Sequence, residues 1–366
     1  MSVTYLYEAL GTPAVWPNDI DAMIMWMGGN TGNIVWHEAV KRGLKYDAAG
    51  NCHMFDMDND EINIIIPLAN VININDNSLQ FYFSQIKQYN SEKVRVTMIG
   101  MGAQLTEELN TPAKLVAALP YEQKHALKEL SYRCVSIGIR GSVTAECLEL
   151  MGIRNYRIIG CPSFYGAERM GGYKIKPAKE DKLCVSWGSK DYKNEQYVRE
   201  FFRKNAKDDD ILLMQSMEDF PRTLYENAPL LERHVKSRYP NIAVNSHEIE
   251  AYIKAKGRIF FDWDEWHDYL VKEQFSLSVG CRFHGNMMSL LAGIPALWIT
   301  HDSRTYELCE AMCLPSVKLE TARKLQGREE YAGFCVYGDK FYRNYKAMYA
   351  YYQDFLRENG INFKNS

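Results

Sequence analysis

The chain has 366 residues, of which 46% are hydrophobic and 24% charged, and its formal net charge is −3. This length exceeds that of one ordinary hydrophobic core and predicts two domains. The composition is typical of a globular protein, and the slightly negative charge argues against a general nucleic-acid binder, which needs a basic face.

Cysteine usage and the absence of targeting patterns indicate a cytoplasmic protein. The nine cysteines are scattered, and none forms a C-x-x-C pair, which favours reduced thiols. Cys309 and Cys313 lie four residues apart, but no nearby residue completes a zinc set, so we predict no metal site. The first twenty residues lack the basic start and apolar centre of a signal peptide, and no segment predicts a transmembrane helix.

Predicted strands and helices alternate through the first half of the chain. Ile62–Leu68 is an almost unbroken apolar run, typical of a buried parallel strand. The other predicted strands are Ala22–Met27, Val94–Gly100, Cys134–Gly138 and Tyr156–Ile159, and the predicted helices are Ile34–Gly43, Ser78–Gln88, Tyr121–Tyr132 and Ser142–Met151. This alternation favours a parallel sheet with helices on both faces.

A polar segment rich in Gly, Pro and Lys, Met170–Lys182, is the predicted linker, and the alternation restarts beyond it. The predicted strands there are Leu183–Trp187, Ile211–Met214, Phe275–Val279 and Ala296–Thr300, with weaker candidates at Ile242–Asn245 and Ile259–Phe261. The predicted helices are Asn194–Lys204, Asn286–Ala292 and the tyrosine-rich Lys340–Glu358. We therefore predict an α/β fold with two doubly wound, Rossmann-like domains facing a cleft, at residues 1–172 and 183–335. A C-terminal segment, 336–366, is expected to pack back on the first domain.

Arg282 and His284 carry the strongest functional pattern. A predicted strand ends at Gly280, the two residues follow it, and a helix is predicted next. Open α/β sheets bind ligands at the carboxyl ends of strands and at helix N-termini. Residues two apart in extended backbone share one face, so both side chains are predicted to point at one ligand, with Phe283 turned away. A lone histidine is more often structural, but this position beside an arginine favours a functional role.

Other polar residues near predicted strand ends are candidate ligand contacts, each with an ordinary structural alternative. These candidates are Asn30, Asn33, Arg140, Gln215, Ser216 and Arg304. The loop Gly28–Asn33 is either a tight turn or a close approach to a ligand. Arg140 is either a cleft residue or part of a helix-end salt bridge, and Gln215 and Ser216 are either cleft residues or a loop start. Asp302 or Ser303 is expected to cap a helix, with Arg304 a surface charge or a ligand contact.

Three motifs follow one another in an order that resembles the polysaccharide pyruvyl transferase family. They are Arg282-Phe283-His284, Ala292-Gly293-Ile294-Pro295 and Asp302-Ser303-Arg304, preceded by the fitting segments Gly28–Asn33, Ser136–Arg140 and Gly160–Ser163. The resemblance implies a GT-B-like layout, phosphoenolpyruvate as donor, and a sugar of a surface polysaccharide or of its lipid-linked precursor as acceptor. It implies no cofactor. Gly32-Asn33 stands where the family usually has Gly-Asp, which removes a carboxylate.

The resemblance also implies roles for the candidate residues. His284 is expected to protonate the methylene carbon of the donor, because an imidazole pKa lies near neutrality. Arg282, Arg304 and Lys190, which lies near a position where the family often has arginine, would hold the anionic groups of the donor. A nucleotide-sugar glycosyltransferase of similar layout and a non-catalytic relative remain open alternatives, as does a peripheral membrane contact.

Overall fold

The computed structural model describes residues 2–8, 20–51, 54–186, 207–216 and 257–364. The strands in these ranges form two six-stranded sheets. Neighbouring strands are parallel in both sheets. The predicted α/β fold with two doubly wound, Rossmann-like halves is therefore confirmed.

The first sheet has the strand order β2-β1-β3-β4-β5-β6. Its strands are β1 (Ser2–Tyr7), β2 (Ala48–Gly50), β3 (Glu61–Pro67), β4 (Val94–Met101), β5 (Ile137–Ile139) and β6 (Tyr156–Ile158). The helices are α1 (Ile20–Trp26), α2 (Asn33–Gly43), α3 (Ser78–Ile86), α4 (Pro112–Ala118), α5 (Tyr121–Tyr132) and α6 (Ser142–Leu150), followed by the 3-10 helix Pro162–Met170. Consecutive residues Ile64, Ile65 and Ile66 are all buried, as expected for a central strand covered on both faces.

The second sheet has the order β12-β11-β10-β7-β8-β9. Its strands are β7 (Leu183–Ser186), β8 (Ile211–Leu213), β9 (Gly257–Arg258), β10 (Leu277–Gly280), β11 (Ala296–Thr300) and β12 (Ser316–Lys318). The described helices are α7 (Trp263–Glu273), α8 (Phe283–Leu291), α9 (Ser303–Met312), α10 (Leu319–Ala322), α11 (Arg328–Phe334) and α12 (Asp339–Glu358). The apolar side chains of α8 are all buried, because this helix packs against α2, α7, the 3-10 helix and the sheet.

Four predicted elements differ from the structure or cannot be compared with it. The predicted strand Ala22–Met27 is wrong, because this segment ends the helix α1. Ile24 and Met27 are buried while Met25 and Trp26 are exposed, and this spacing of three is helical. The strand expected at Ile259–Phe261 lies earlier, as β9. The predicted helix Asn194–Lys204 and strand Ile242–Asn245 lie outside the described residues.

The C-terminal helix α12 lies against the first half of the chain. Its Tyr352 stacks on Tyr165 of the 3-10 helix with ring centroids 4.2 Å apart, and Tyr345 meets Phe164 edge-on at 5.0 Å. The domain limits at residues 172 and 183 remain a prediction; β6 ends at residue 158 and β7 begins at residue 183.

Candidate active site

The loop after β10 brings Arg282 and His284 to the start of α8. Arg282 is the N-cap residue, with an extended backbone at φ −81° and ψ 112°, and α8 begins at the next residue. The prediction that both residues lie in extended backbone is therefore wrong, because His284 lies in the first helical turn. Phe283 does turn away from the loop, since it is buried and its ring lies 5.7 Å from that of Trp298.

The end of β8 joins this corner through Gln215 and Ser216. A guanidinium Nη2 of Arg282 donates to Ser216 Oγ at 2.7 Å. The Gln215 side chain lies between two glycines: a Cβ at Gly32 would be 2.3 Å from its Oε1, and a Cβ at Gly285 would be 2.4 Å from its Nε2. Because any side chain at these glycines would displace the amide, both glycines permit the close approach of the first half, α8 and β8.

The glycine-rich loop before α2 rests on the end of β8. The Thr31 amide donates to the Gln215 carbonyl at 2.7 Å, and Asn30 forms an antiparallel bridge with Ser216. Asn30 Oδ1 accepts from the Gly32 amide at 2.8 Å. The structure therefore brings Asn30 together with Gln215, Ser216 and Arg282.

Asn33 is not part of this cluster. Its Nδ2 donates to the Met27 carbonyl at 2.9 Å, and its Oδ1 accepts from Trp36 Nε1 at 3.1 Å. Both contacts hold the junction between α1 and α2. This geometry supports the structural alternative for Asn33.

Arg140 enters the cleft from the first half, after β5. It is 1% exposed. Its Nε donates to the Gly100 carbonyl at 2.8 Å, and its Nη1 donates to Asn70 Oδ1 at 2.6 Å. Its Nη2 is buried and has no hydrogen-bond partner within the described ranges. Two donors fix the guanidinium, so the third is oriented and available to a ligand.

The loop after β11 contributes His301, Asp302 and Arg304. Asp302 Oδ1 caps α9 by accepting from the Thr305 amide at 2.7 Å, and its Oδ2 lies 3.1 Å from an Arg304 nitrogen. Burial opposes ionisation of Asp302, but Arg304, His301 and the Thr305 hydrogen bonds hold its pKa well below the ordinary value. Arg304 Nε and His301 Nδ1 are buried without a hydrogen-bond partner in the part of the chain that the structure describes.

His284 lies between these groups. It is half-buried, and its Nε2 is 3.4 Å from Cys161 Sγ. Burial lowers the pKa of His284 well below its ordinary value, and the positive charges of Arg140 and Arg304 lower it further. Because each guanidinium affects the imidazole electrostatically, residues from both halves form one positively charged site around His284.

Three residues at or beside this site were not among the sequence candidates. His301 directly follows β11 and Cys161 lies three residues after the end of β6, so the strand-end rule applied to Arg282 could have found them. Glu307 gives no such signal, because it lies inside α9. Its carboxylate accepts from the Thr144 amide at 3.1 Å and from Thr144 Oγ1 at 2.9 Å across the two halves. Lys190 lies outside the described residues.

Metal-binding clusters and membrane-spanning helices are absent from the described residues. No group of three His, Cys, Asp or Glu side chains in them could hold a metal ion. Within the same ranges, no helix combines the length and the apolar composition needed to cross a membrane.

Comparison with known proteins identifies the family. The family model for polysaccharide pyruvyl transferase matches residues 118–303, which is half of the chain, so the chain belongs to that family. The matched segment contains Arg140, Arg282 and His284, and ends one residue before Arg304.

Similarity to solved structures is distant. A functionally uncharacterized protein from Klebsiella pneumoniae has 12% identity and a TM-score of 0.42, with 84% of this chain and 87% of that chain covered. The MnaA protein of S. aureus, solved with UDP, has 11% identity and a TM-score of 0.40, with 98% and 97% covered. No curated protein matches the chain. The fold assignment therefore rests on the strand order.

Proposed function

We propose that this protein transfers a pyruvyl group from phosphoenolpyruvate to a sugar, forming a cyclic ketal and releasing phosphate. Membership in the polysaccharide pyruvyl transferase family supports the reaction class. The acceptor is then a sugar with two neighbouring hydroxyls, in a surface polysaccharide or its lipid-linked precursor. The reaction takes place in the cytoplasm and uses no cofactor.

The observation that carries the proposal is the set of unpartnered buried donors around His284. Arg140 Nη2 and Arg304 Nε have no hydrogen-bond partner within the described ranges. A buried donor without a partner costs about 1–3 kcal/mol, so such an atom is expected to bond to an ordered water or to a ligand, and two of them in one site favour an anionic ligand. Guanidinium groups match the geometry of carboxylates and phosphates, and phosphoenolpyruvate carries one of each. Arg282, held by Ser216, adds a third positive charge to the same corner.

In this proposal His284 is the general acid. Its proton bonds to the methylene carbon through the π electrons of the double bond, which makes C2 an electrophile similar to an oxocarbenium ion. One acceptor hydroxyl attacks C2 and the phosphate leaves; the second hydroxyl then closes the ketal. Of the two protons that the hydroxyls release, one replaces the proton that His284 gave to carbon and the other leaves with the phosphate. The arginines offset the charge of the departing phosphate. Burial lowers the pKa of His284 most, and the two guanidinium charges lower it further. The bound dianion offsets those two charges and so favours the protonated form of His284.

Phosphate release from phosphoenolpyruvate with candidate glycan acceptors tests the proposal. We expect His284→Ala to lower turnover by about 10²–10⁴-fold, the usual worth of a general acid. Arg357→Gln is the matched control for removing a positive charge away from the site, because Arg357 lies on the exposed face of α12 and its ion-pair partner among the described residues is Asp354. Near-wild-type turnover of His284→Ala would contradict the assignment.

Calorimetry separates the donor from its alternative. We expect phosphoenolpyruvate to bind the wild-type protein and to bind Arg304→Gln more weakly. Binding of nucleotide sugars without binding of phosphoenolpyruvate would favour the glycosyltransferase alternative and contradict the proposal.

A further inference from the structure

Cys161 and Ser163 form a buried chain of contacts that ends on the imidazole of His284. Ser163 Oγ donates to Cys161 Sγ at 3.0 Å, and Cys161 Sγ lies 3.4 Å from His284 Nε2. Both Cys161 and Ser163 have no exposed surface. Cys161 and Ser163 lie where the segment after β6 enters the 3-10 helix. Because this 3-10 helix packs against α8, they lie beside His284.

His284 has no other hydrogen bond within the described ranges. The side chain is half-buried, and its Nδ1 is not among the enclosed polar atoms without a partner. Nε2 therefore faces the thiol, while Nδ1 is the ring nitrogen that a ligand in the cleft can reach. Ser163 keeps its hydroxyl hydrogen for Cys161, so the thiol hydrogen is free to turn toward the imidazole.

A neutral imidazole carries one hydrogen, and its other nitrogen is an acceptor. We propose that Cys161, oriented by Ser163, donates its thiol hydrogen to Nε2 of His284 and so fixes the imidazole hydrogen on Nδ1, the nitrogen facing the cleft. Cys161 and Ser163 are then positioning residues for the acid of the reaction, and this role in catalysis rests on the proposed function. The tautomer itself does not depend on that function.

Two physical observations support this assignment. Burial raises the pKa of the Cys161 thiol, and neither the Arg140 charge nor the Ser163 hydrogen bond overcomes that effect, so the group remains a donor at neutral pH. The charged groups that act on His284 are Arg140 and Arg304, both cations, so no described carboxylate competes for Nε2. A carboxylate at position 161 could only accept, and would place the hydrogen on Nε2 instead.

A thiol also suits both protonation states of the histidine. When the donor binds, His284 takes up one proton from solvent at Nε2 and becomes an imidazolium; Nε2–H then donates to Sγ and Nδ1–H faces the methylene carbon. Transfer forms the new C–H bond from the π electrons of the donor and leaves the N–H electron pair on Nδ1. The thiol accepts in one state and donates in the other, without gaining or losing a proton.

Long-range ¹⁵N–¹H correlation spectra of the full chain labelled with ¹⁵N-histidine test the tautomer directly. The signals of His284 are those that disappear in His284→Gln. At a pH above neutrality we expect the wild-type protein to show hydrogen on Nδ1. A hydrogen on Nε2 in the wild type would overturn the proposal, whether or not any variant folds.

Variants of Cys161 provide the second measurement. We expect Cys161→Ala to give a mixture of tautomers, Cys161→Ser to keep the wild-type form, and Cys161→Asp to move the hydrogen to Nε2. Cys134→Ala is the matched control, because Cys134 is also buried but bonds to the Leu130 carbonyl in the core of the first half. An unchanged His284 tautomer in Cys161→Ala would overturn the proposal.

Kinetics test the role in catalysis separately. We expect Cys161→Ala to lower kcat on the order of ten-fold with little change in KM for phosphoenolpyruvate, because misorientation forfeits part of the general-acid contribution. Cys161→Ser should restore most of the rate. If no acceptor supports phosphate release while the spectra show the expected tautomers, the proposed function is contradicted and the positioning role of Cys161 and Ser163 is retained. If the wild-type protein turns over normally but its His284 tautomer is not the expected one, only the positioning role of Cys161 and Ser163 is contradicted.

Discussion

Gly32 has no side chain, and this allows Gln215 and Asn30 to approach its backbone closely. A Cβ at this position would lie 2.3 Å from Gln215 Oε1 and 3.0 Å from Asn30 Oδ1. Both atoms are the ends of side chains and can move aside, whereas the third neighbour, His284 Cβ at 3.2 Å, requires a shift of only a few tenths of an ångström. We expect Gly32→Ala to displace Gln215 from its position beside α8 and to weaken phosphoenolpyruvate binding at least several-fold in calorimetry, with a stability loss below about 1 kcal/mol in denaturant unfolding.

Gly43→Ala is the control for this substitution, because Gly43 ends the same helix and a Cβ there would meet nothing within 4 Å. We expect it to leave binding unchanged and to raise stability by up to about 1 kcal/mol, since alanine loses less backbone entropy than glycine. Equal effects of the two substitutions on donor binding would contradict the role assigned to Gly32.

The protonation of His284 should depend on the donor. In the free protein burial and the neighbouring guanidinium groups hold its pKa well below the ordinary value, so His284 is neutral at neutral pH. A bound dianion raises that pKa, and binding must then take up a proton. We expect calorimetry in buffers of different ionisation enthalpy to show proton uptake at neutral pH, and affinity to fall as pH rises. The uptake should be lost in His284→Gln, and an uptake that persists in that variant would assign the proton to another group.

At the scale of the element, Asp302 and Asp262 both cap helices but differ in their contacts with charged side chains. Each caps a helix, with Asp302 accepting from Thr305 and Asp262 accepting from Glu265. Only Asp302 also binds Arg304. We expect Asp262→Ala to cost about 0.5–2 kcal/mol in denaturant unfolding and to leave the donor affinity unchanged. Asp302→Ala should cost at least as much and also change the donor affinity, because Arg304 loses its anchor. Equal donor affinities in the two variants would show that Asp302 is only a cap.

Strands and helices could be predicted from the sequence where the hydrophobic pattern is compatible with only one type of secondary structure. The almost unbroken apolar run of β3 and the Gly-Pro end of α8 identified their elements closely. The prediction for the segment of α1 was wrong, because an apolar run this short is equally compatible with the periodicity of a helix and that of a strand. For Arg282 and His284 the location was correct and the expected backbone was not, since the helix begins one residue before the histidine.

At the scale of the whole molecule, the site depends on contacts between the two halves. Strand ends could be located from the sequence, so candidates such as Arg140, Arg282 and Arg304 were found separately. Their proximity could not be predicted, because it depends on how the two sheets are placed through α2, α8 and the 3-10 helix. The same limit explains the omission of Glu307, whose partner lies more than 160 residues earlier in the chain.

Glu307 joins the halves with a buried carboxylate, and this should give the protein a particular pH dependence of stability. Burial raises its pKa to about 7, against the opposing hydrogen bonds of Thr144. A carboxyl group with a folded pKa above its unfolded value near 4.5 favours the folded state below that value, and the contribution is lost as pH rises toward 7. The loss amounts to about 3 kcal/mol if no other group compensates.

Glu307→Gln keeps a carbonyl acceptor for Thr144 and removes the charge. We expect denaturant unfolding to show that the variant gains stability relative to the wild type between about pH 4.5 and pH 8, with little difference at the acid end. Thr144→Val tests the contact itself. The Thr144 hydroxyl donates to the Glu307 carboxylate and accepts from the Ala103 amide at 2.9 Å. Because valine loses both hydrogen bonds, we expect this variant to be less stable at all pH values. A constant difference between Glu307→Gln and the wild type across this range would mean that Glu307 does not titrate between the halves.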